Sequence, residues 1–244
     1  MSSLHPLRQA APFFYGGVPV LGISAATRRL QNAGRILCYH NVVPDGYEGT
    51  GGAGLHMPRA TFERQMRWLA AHYTMLPLRE FLERLERGAS LRSTAVIAFD
   101  DGYNGVFEQA GPILHGLGIS ATAFLVAEAV GRWPGFWWDQ PAIVNAATSS
   151  QREAWLTRLR GDDAAIVNEA APEGRANLPR PHQPAGWNLV RAWLGKGLDI
   201  GVHSATHRCL PTLRDAELDH EVHARRVTLH RETGVWPETF AYPY

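Results

Sequence analysis

The sequence predicts an α/β fold in which parallel strands alternate with helices. Short apolar runs, such as 94–99 and 121–127, are separated by segments whose apolar residues recur every three or four positions. Such runs are typical of strands buried on both faces, and such spacing is typical of amphipathic helices. The connections are short, and about six candidate strands are present, fewer than the eight of a complete barrel. We therefore expect one α/β domain with an incomplete barrel.

The first predicted elements are a strand and two helices. The run at 35–40 predicts the strand. The helix after it has an apolar face marked by Phe62, Met66, Leu69 and Tyr73. The segment 77–88 predicts a second helix, and Gly88 is expected to end it because glycine readily adopts the left-handed conformation that follows many helices.

The strand at 94–99 is followed by a third helix and another strand. One face of this helix carries Val106, Ala110, Ile113 and Leu117. Pro112 is expected to kink or divide the helix, since proline lacks the N–H that a helix interior uses. Gly118 is expected to end it before the strand at 121–127.

The regular pattern then stops and later resumes. Between about 131 and 186 the sequence is first rich in tryptophan and then polar, and we interpret it as a long insertion that is partly helical. The pattern afterwards predicts a helix, a strand, a long helix and a final strand, at 187–197, 198–202, 215–232 and 238–244. Thr212 with Asp215 predicts the cap that begins the long helix.

Composition excludes several classes of protein. Of the 244 residues, 45% are hydrophobic and 19% are charged, and the net charge is +1. This is typical of a globular protein and lacks the basic excess of a nucleic-acid-binding domain, so we expect no nucleic-acid partner. Cys38 and Cys209 lie far apart, in no metal-binding spacing, and predict no disulfide framework.

The N-terminal segment, residues 1–34, stands apart from this pattern. Its apolar part, 11–26, is broken by glycine and proline, and it is shorter than the ~20 residues of a transmembrane helix. We expect the segment to pack on the domain or to lie against a membrane surface, in a protein that is cytoplasmic or peripheral to the membrane. A secretory signal is the alternative, although no clear cleavage site precedes the first strand.

Two adjacent carboxylates, Asp100 and Asp101, follow the strand at 94–99, and Gly102 comes next. Catalytic groups of α/β folds lie at the carboxyl ends of strands. The chain turns there, glycine makes the turn easy, and both carboxylates can face one cleft. The alternative is an ordinary turn in which one aspartate caps the next helix.

A second polar motif, "HSATH", follows the strand at 198–202. It places His203 and His207 four residues apart, a frequent metal-ligand spacing, although isolated pairs of this kind are often surface histidines. With one aspartate, the two imidazoles supply three protein ligands and leave open positions for water and substrate, as catalytic metal sites do. The other aspartate is then available as a base.

The two motifs together resemble those of NodB-type polysaccharide deacetylases, carbohydrate esterase family 4. The family's T-F-D-D motif corresponds to "AFDD", with Ala98 in the threonine position, and its H-[ST]-x-x-H motif matches "HSATH". Its R-x-P-[YFG] motif corresponds to "AYPY", with Ala241 in place of the arginine, and "ILCYHNV", "FERQMRWL" and "FWWD" also resemble the family. The resemblance covers about 35–244 and implies a distorted, incomplete (β/α) barrel of the NodB-homology type with a long insertion.

The resemblance also implies an activity and a role for each residue. Asp100 corresponds to the general base. The ligands of a divalent metal ion, zinc or else cobalt or nickel, correspond to Asp101, His203 and His207. Tyr244, preceded by Pro243, corresponds to the residue whose backbone N–H stabilises the oxyanion. The implied activity is metal-dependent deacetylation of an N-acetylated polysaccharide or glycan precursor, so the expected partner is a carbohydrate polymer or oligosaccharide.

The sequence departs from the family beyond the third motif. The family's later motifs, which orient the base and supply the histidine that protonates the leaving amine, do not follow Tyr244, so we expect a truncated or degenerate domain. His40, after the first strand, is the best local candidate for the acid, with a packed or supporting histidine as the alternative. Trp138 and Asp139 are further candidates to line the site, in an aromatic segment that either stacks on sugars or plugs the barrel.

Three functions are therefore considered. The leading one is a metal-dependent deacetylase. The second is a catalytically impaired glycan-binding module that retains the cleft. The third, a non-haem iron oxygenase with two histidines and one carboxylate, is less favoured because the spare aspartate suits hydrolysis better.

Overall fold

The computed structural model describes residues 32–47 and 54–244, so all but the last three residues of the N-terminal segment lie outside the described residues. The strands of the described part, β1 to β7, are Arg35–Tyr39, Asn41–Val43, His56–Pro58, Thr74–Met75, Thr94–Phe99, Ala121–Leu125 and Leu198–Val202. Its α-helices, α1 to α8, are Arg59–His72, Leu78–Glu86, Gly111–Leu117, Pro141–Ala146, Ser149–Arg158, Asp163–Ala170, Trp187–Trp193 and Asp215–Thr233.

Five strands form one parallel sheet. Its order is β1, β5, β6 and β7, and β4 pairs with the first two residues of β5. Tyr39 of β1 is in register with Phe99 of β5, which is in register with Ala123 of β6. The carboxyl ends of these strands therefore meet at one end of the sheet. The parallel pairing confirms the predicted α/β fold, and the described strands do not close into a full barrel.

The helices on either side of β5 follow the predicted pattern. Helix α1 buries Phe62, Met66 and Leu69. A π-helical segment at Val106–Ala110 runs directly into α3, whose first turn contains Pro112, so the helix is not divided at the proline and instead changes there from π to α geometry. The helix then ends in a left-handed glycine at the predicted position.

The predicted strand at 238–244 is reduced to a single bridge between Phe240 and Val202 of β7. The N–H of Val202 donates to the carbonyl of Thr239, and the N–H of Ala241 donates to the carbonyl of Val202, both at 3.0 Å. Pro243 has no N–H with which to extend this pairing. The end of the chain therefore lies beside β7 without forming a regular strand.

Two local features differ from the sequence prediction. Strands β2 and β3 form a small parallel pair that was not predicted, because three-residue strands carry no readable periodicity. Thr212 does not cap α8, because its hydroxyl donates to the carbonyl of Cys209 at 2.6 Å. The carboxylate of Glu217 instead accepts a hydrogen bond from the N–H of Arg214, at 3.0 Å.

The insertion contributes to the hydrophobic core. Helices α4 to α6 follow an aromatic segment in which Phe136, Trp137 and Trp138 are buried. One apolar cluster joins this segment to α1, α3 and one face of the sheet, and a smaller cluster packs α2 on the other face of β5. Within the described residues, none of the helices has the length and apolar character needed to cross a membrane.

Candidate active site

The first part of the site is the turn that follows β5. The N–H of Asp100 donates to the carbonyl of Tyr39 at 2.9 Å, which extends the pairing with β1 by one residue. Asp101 and Gly102 are both left-handed, with φ of 70° and 79°. A Cβ on Gly102 would lie 2.6 Å from the side chain of Leu125. Glycine is therefore favoured here both by its left-handed backbone and by the lack of space for a side chain. At Asp101 the same backbone conformation costs roughly 1–2 kcal/mol.

The second part of the site is the loop that follows β7. The N–H of His203 donates to the carbonyl of Leu125 at 2.9 Å, which anchors the start of the loop to β6. Ser204 and His207 are left-handed, with φ of 65° and 60°. The N–H of His207 donates to the hydroxyl oxygen of Ser204 at 2.9 Å. This compact loop brings the two imidazoles together.

Asp101, His203 and His207 form a cluster in which three ligand atoms converge. Asp101 Oδ1 lies 3.5 Å from His203 Nε2 and 3.3 Å from His207 Nε2. The two Nε2 atoms are 3.2 Å apart, and all three residues are buried. Ligand atoms bound at about 2.0–2.1 Å to a tetrahedral zinc ion lie about 3.3 Å from one another. The spacing within the cluster therefore fits such an ion.

The hydrogen bonding around the cluster also fits a cation. His203 Nδ1 lies 3.0 Å from the carbonyl oxygen of Ala241, and donation to that oxygen leaves Nε2 with the lone pair that a metal ligand needs. Asp101 Oδ1 is buried, and the described residues give it no hydrogen bond of good geometry. Burial by itself raises the pKa of Asp101, but when the neighbouring imidazoles carry a proton on Nε2 they outweigh burial and hold that pKa below its usual range. Asp101 is thus ionised, as metal binding requires.

Asp100 lies outside this cluster and has a different partner. Its Oδ2 accepts a hydrogen bond from the thiol of Cys38 on β1, with an Sγ–O distance of 3.1 Å. Burial, followed by the negative charge of Asp100, raises the pKa of the thiol, so the thiol stays protonated and donates. Cys38 was not among the predicted site residues. Its place in the predicted strand at 35–40, two residues before His40, could have indicated a role in the site, because residues two apart on a strand share a face.

Both aspartates and both histidines line one cavity of about 330 Å³. Its other lining residues are His40, Leu55, Trp137, Trp138, Arg152, Leu156, Tyr242 and Tyr244. His40 thus faces the same cavity as the cluster, and the ring of Tyr244 contacts that of His207 edge-on, with centroids 4.8 Å apart. Pro243 is buried and does not line the cavity. Arg152, from α5 of the insertion, was missed because nothing in its local sequence marks it.

Asp139 does not line the cavity and instead lies behind Trp138. Its side chain is fully buried, with Oδ1 at 2.9 Å from His56 Nε2 and Oδ2 accepting the hydroxyl of Tyr103 at 2.7 Å. The indole N–H of Trp138 donates to the same hydroxyl at 2.7 Å. The Trp138 ring packs against His207, with centroids 4.5 Å apart. Asp139 is therefore connected to His207 only indirectly, through Tyr103 and then Trp138.

Comparison with known proteins identifies the family. The polysaccharide deacetylase family model matches residues 87–244, a range that contains both aspartates and both histidines. YxkH of Bacillus subtilis (strain 168) is 30% identical over 98 residues, which are 39% of this chain and 33% of that protein. The poly-beta-1,6-N-acetyl-D-glucosamine N-deacetylase of Staphylococcus epidermidis is 35% identical over 71 residues, 29% of this chain and 25% of that enzyme. The matches thus span a third or less of these curated relatives.

The structure of IcaB from Ammonifex degensii has the same fold. It superposes with a TM-score of 0.59 at 18% sequence identity, covering 86% of this chain and 74% of that one. This likeness confirms the predicted NodB-type fold. Among the described strands the barrel is incomplete, as predicted. Because the family match covers more than half of the chain and includes every member of the Asp-His-His cluster, the chain belongs to the polysaccharide deacetylase family.

Proposed function

We propose that this protein is a metal-dependent hydrolase that removes acetyl groups from an N-acetylated polysaccharide. The observation that carries the proposal is the convergence of Asp101, His203 and His207 in a cavity that Asp100 also lines. The name of the Staphylococcus epidermidis relative, an N-deacetylase of a polymer of N-acetylglucosamine, supports the same class of substrate.

Asp101, His203 and His207 are the residues that would hold the metal ion, with zinc as the first choice and cobalt or nickel as alternatives. When bound there, a divalent cation polarises a carbonyl group and lowers the pKa of water. With two neutral imidazoles and the carboxylate of Asp101 as its protein ligands, a bound divalent cation would keep one net positive charge, which would favour a negatively charged transition state.

Asp100 acts as the general base in this proposal. Its Oδ2 is engaged by the Cys38 thiol, and the described residues give the other oxygen no hydrogen bond. That oxygen is therefore available to accept a proton from the attacking water, whose oxygen forms the new bond to the acetyl carbon. The backbone N–H of Tyr244 is the proposed donor to the oxyanion, as the resemblance implies.

His40 is the proposed general acid, because its side chain lines the cavity from the end of β1. When the carbon–nitrogen bond breaks, the departing nitrogen takes the proton of the imidazole and leaves as an amine, and acetate is the second product. The proton that Asp100 took from water can return to His40 through solvent, which completes the cycle without a further reactant.

Two variants test this division of roles. Asp101→Ala removes a metal ligand and is expected to lose bound zinc, measured by elemental analysis of purified protein. Asp100→Asn is expected to keep zinc and to lose at least a hundredfold in the rate of acetate release from N-acetylglucosamine oligomers. Unchanged zinc content in Asp101→Ala would overturn the proposal. If the wild type binds the oligomers with zinc present and releases no acetate, the glycan-binding alternative is favoured.

A further inference from the structure

We infer that Glu221, on α8, is a positioning residue for the metal ligands. It holds the loop between His203 and His207 in the shape that brings their imidazoles together. This inference rests on the proposed metal-dependent function and adds to it a residue that touches neither the cation nor the substrate.

The carboxylate of Glu221 is bound by the loop through three hydrogen bonds. Oε2 accepts the backbone N–H groups of Ala205 and Thr206, both at 2.9 Å. Oε1 accepts the hydroxyl of Thr206 at 2.6 Å. Glu221 is 2% exposed, and it forms no ion pair with the described basic residues. Because a buried charge is costly unless it is hydrogen-bonded, the hydrogen bonds from the loop stabilise this buried carboxylate.

The loop in turn presents two successive backbone N–H groups to this carboxylate. A left-handed residue such as Ser204 turns the following backbone N–H groups inward, and successive N–H groups of this kind form an anion-binding concavity. The carbonyls of Ser204 and Ala205 accept hydrogen bonds from the N–H groups of Ala127 and Glu128, at 3.1 and 3.0 Å. Glu221 therefore completes the set of contacts that stabilises a strained backbone.

The position of both ligands depends on this loop. His203 precedes the two residues that Glu221 binds, and His207 follows them. Without the carboxylate, two N–H groups would be left to water and the left-handed conformations would lose their support. The Nε2 atoms would no longer be held 3.2 Å apart. Residues that orient metal ligands typically change metal affinity by about 10- to 100-fold.

A graded set of variants tests the inference. Glu221→Ala removes all three hydrogen bonds, Glu221→Gln keeps a carbonyl oxygen for the N–H groups, and Thr206→Val removes only the hydroxyl. Asp219→Ala is the matched control, because Asp219 is exposed on the same helix. The zinc dissociation constant is measured by competition with a chromophoric chelator, on proteins whose circular dichroism shows them to be folded.

We expect Glu221→Ala to weaken zinc binding by about 10- to 100-fold. Thr206→Val and Glu221→Gln should weaken it less, and Asp219→Ala should not change it. A purely structural role would lower the unfolding midpoint of the metal-free protein and leave the dissociation constant unchanged. That result in Glu221→Ala would overturn the inference while the metal proposal stands.

The remaining outcomes are also decisive. If Glu221→Ala does not fold, wild-type affinity in both Glu221→Gln and Thr206→Val overturns the inference. If the wild type binds none of zinc, cobalt and nickel, or if Asp101→Ala binds zinc as tightly as the wild type does, the proposed function itself fails and the inference fails with it.

Discussion

Asp100 and Asp101 are neighbours of the same residue type, yet their side chains have different surroundings. Asp101 is buried against two imidazoles, whereas Asp100 is partly exposed and bonded to a thiol. The left-handed turn at Asp101 separates the two carboxylates, so each has its own electrostatic partner. This separation is the physical basis for giving one the role of ligand and the other the role of base.

The contact between Cys38 and Asp100 leads to a prediction at this scale. Cys38→Ala removes the donor that orients the base, and loss of a hydrogen bond of about 1 kcal/mol corresponds to a roughly fivefold lower kcat. Cys38→Ser restores a donor and should recover most of the rate. Initial rates of acetate release are measured for both variants. The zinc content of both variants should equal that of the wild type. Equal rates in the two variants would show that the thiol does not orient Asp100.

At the scale of elements, the aromatic segment of the insertion is held against the site by a buried polar network. The hydroxyl of Tyr103, in the loop after β5, accepts from Trp138 and donates to Asp139. Burial raises the pKa of Tyr103, so its hydroxyl keeps the proton that it donates. His56, at the start of β3, bonds to the other oxygen of Asp139. Three segments distant in sequence thus meet behind Trp138.

Tyr103→Phe tests how much this network contributes to stability. The change removes a hydrogen-bond partner from the buried indole N–H of Trp138 and from Oδ2 of Asp139. Each such loss lowers the free energy of unfolding by about 1–3 kcal/mol. Tyr39→Phe is the matched control, because among the described residues the hydroxyl of Tyr39 bonds only to the partly buried side chain of Gln65. Urea unfolding should show a clearly larger loss for Tyr103→Phe. Equal losses would contradict the importance assigned to the network.

At the scale of the whole molecule, Glu217 connects the insertion to α8. Its carboxylate accepts hydrogen bonds from Arg160, in the insertion, and from Arg214, before the helix. The hydrogen bond from Arg160 is the main reason that the pKa of Glu217 falls from 4.5 to about 2. Arg208, which follows His207 in the sequence, pairs with the same carboxylate at 3.4 Å.

This lowered pKa predicts a pH dependence of stability. A carboxyl whose pKa is lower in the folded state stabilises the protein above its unfolded pKa, and that contribution is lost as the pH falls through the folded pKa. The stabilisation by Glu217 should therefore be complete above pH 4.5 and should disappear toward pH 2. Unfolding midpoints of the wild type and Glu217→Gln should converge as the pH is lowered over this range. If the difference between the two unfolding midpoints stays constant as the pH falls, titration of Glu217 is not the cause of that difference.

Much of the fold was predictable because its signals are local. The run at 94–99 predicted a strand, and β5 is Thr94–Phe99. The meeting of Asp101 with His203 followed from the rule that parallel strands end at one side of a sheet. The prediction of a final strand at 238–244 was wrong, since only one bridge forms there. An apolar run does not show how many backbone hydrogen bonds its residues will form. The catalytic roles of Asp100, His40 and Tyr244 stay predictions.

The sequence by itself determined the alternation of strands and helices, the turn at Gly102 and the residues of the candidate metal cluster. Only the tertiary structure decided which side chains support that cluster. Cys38 is 62 positions from Asp100, and Glu221 is 16 positions from Ala205. Contacts at such separations depend on how distant segments pack, and they leave no periodic pattern in the sequence. For the same reason Asp139 lies behind the cavity, although its position beside Trp138 predicted that it would line the site.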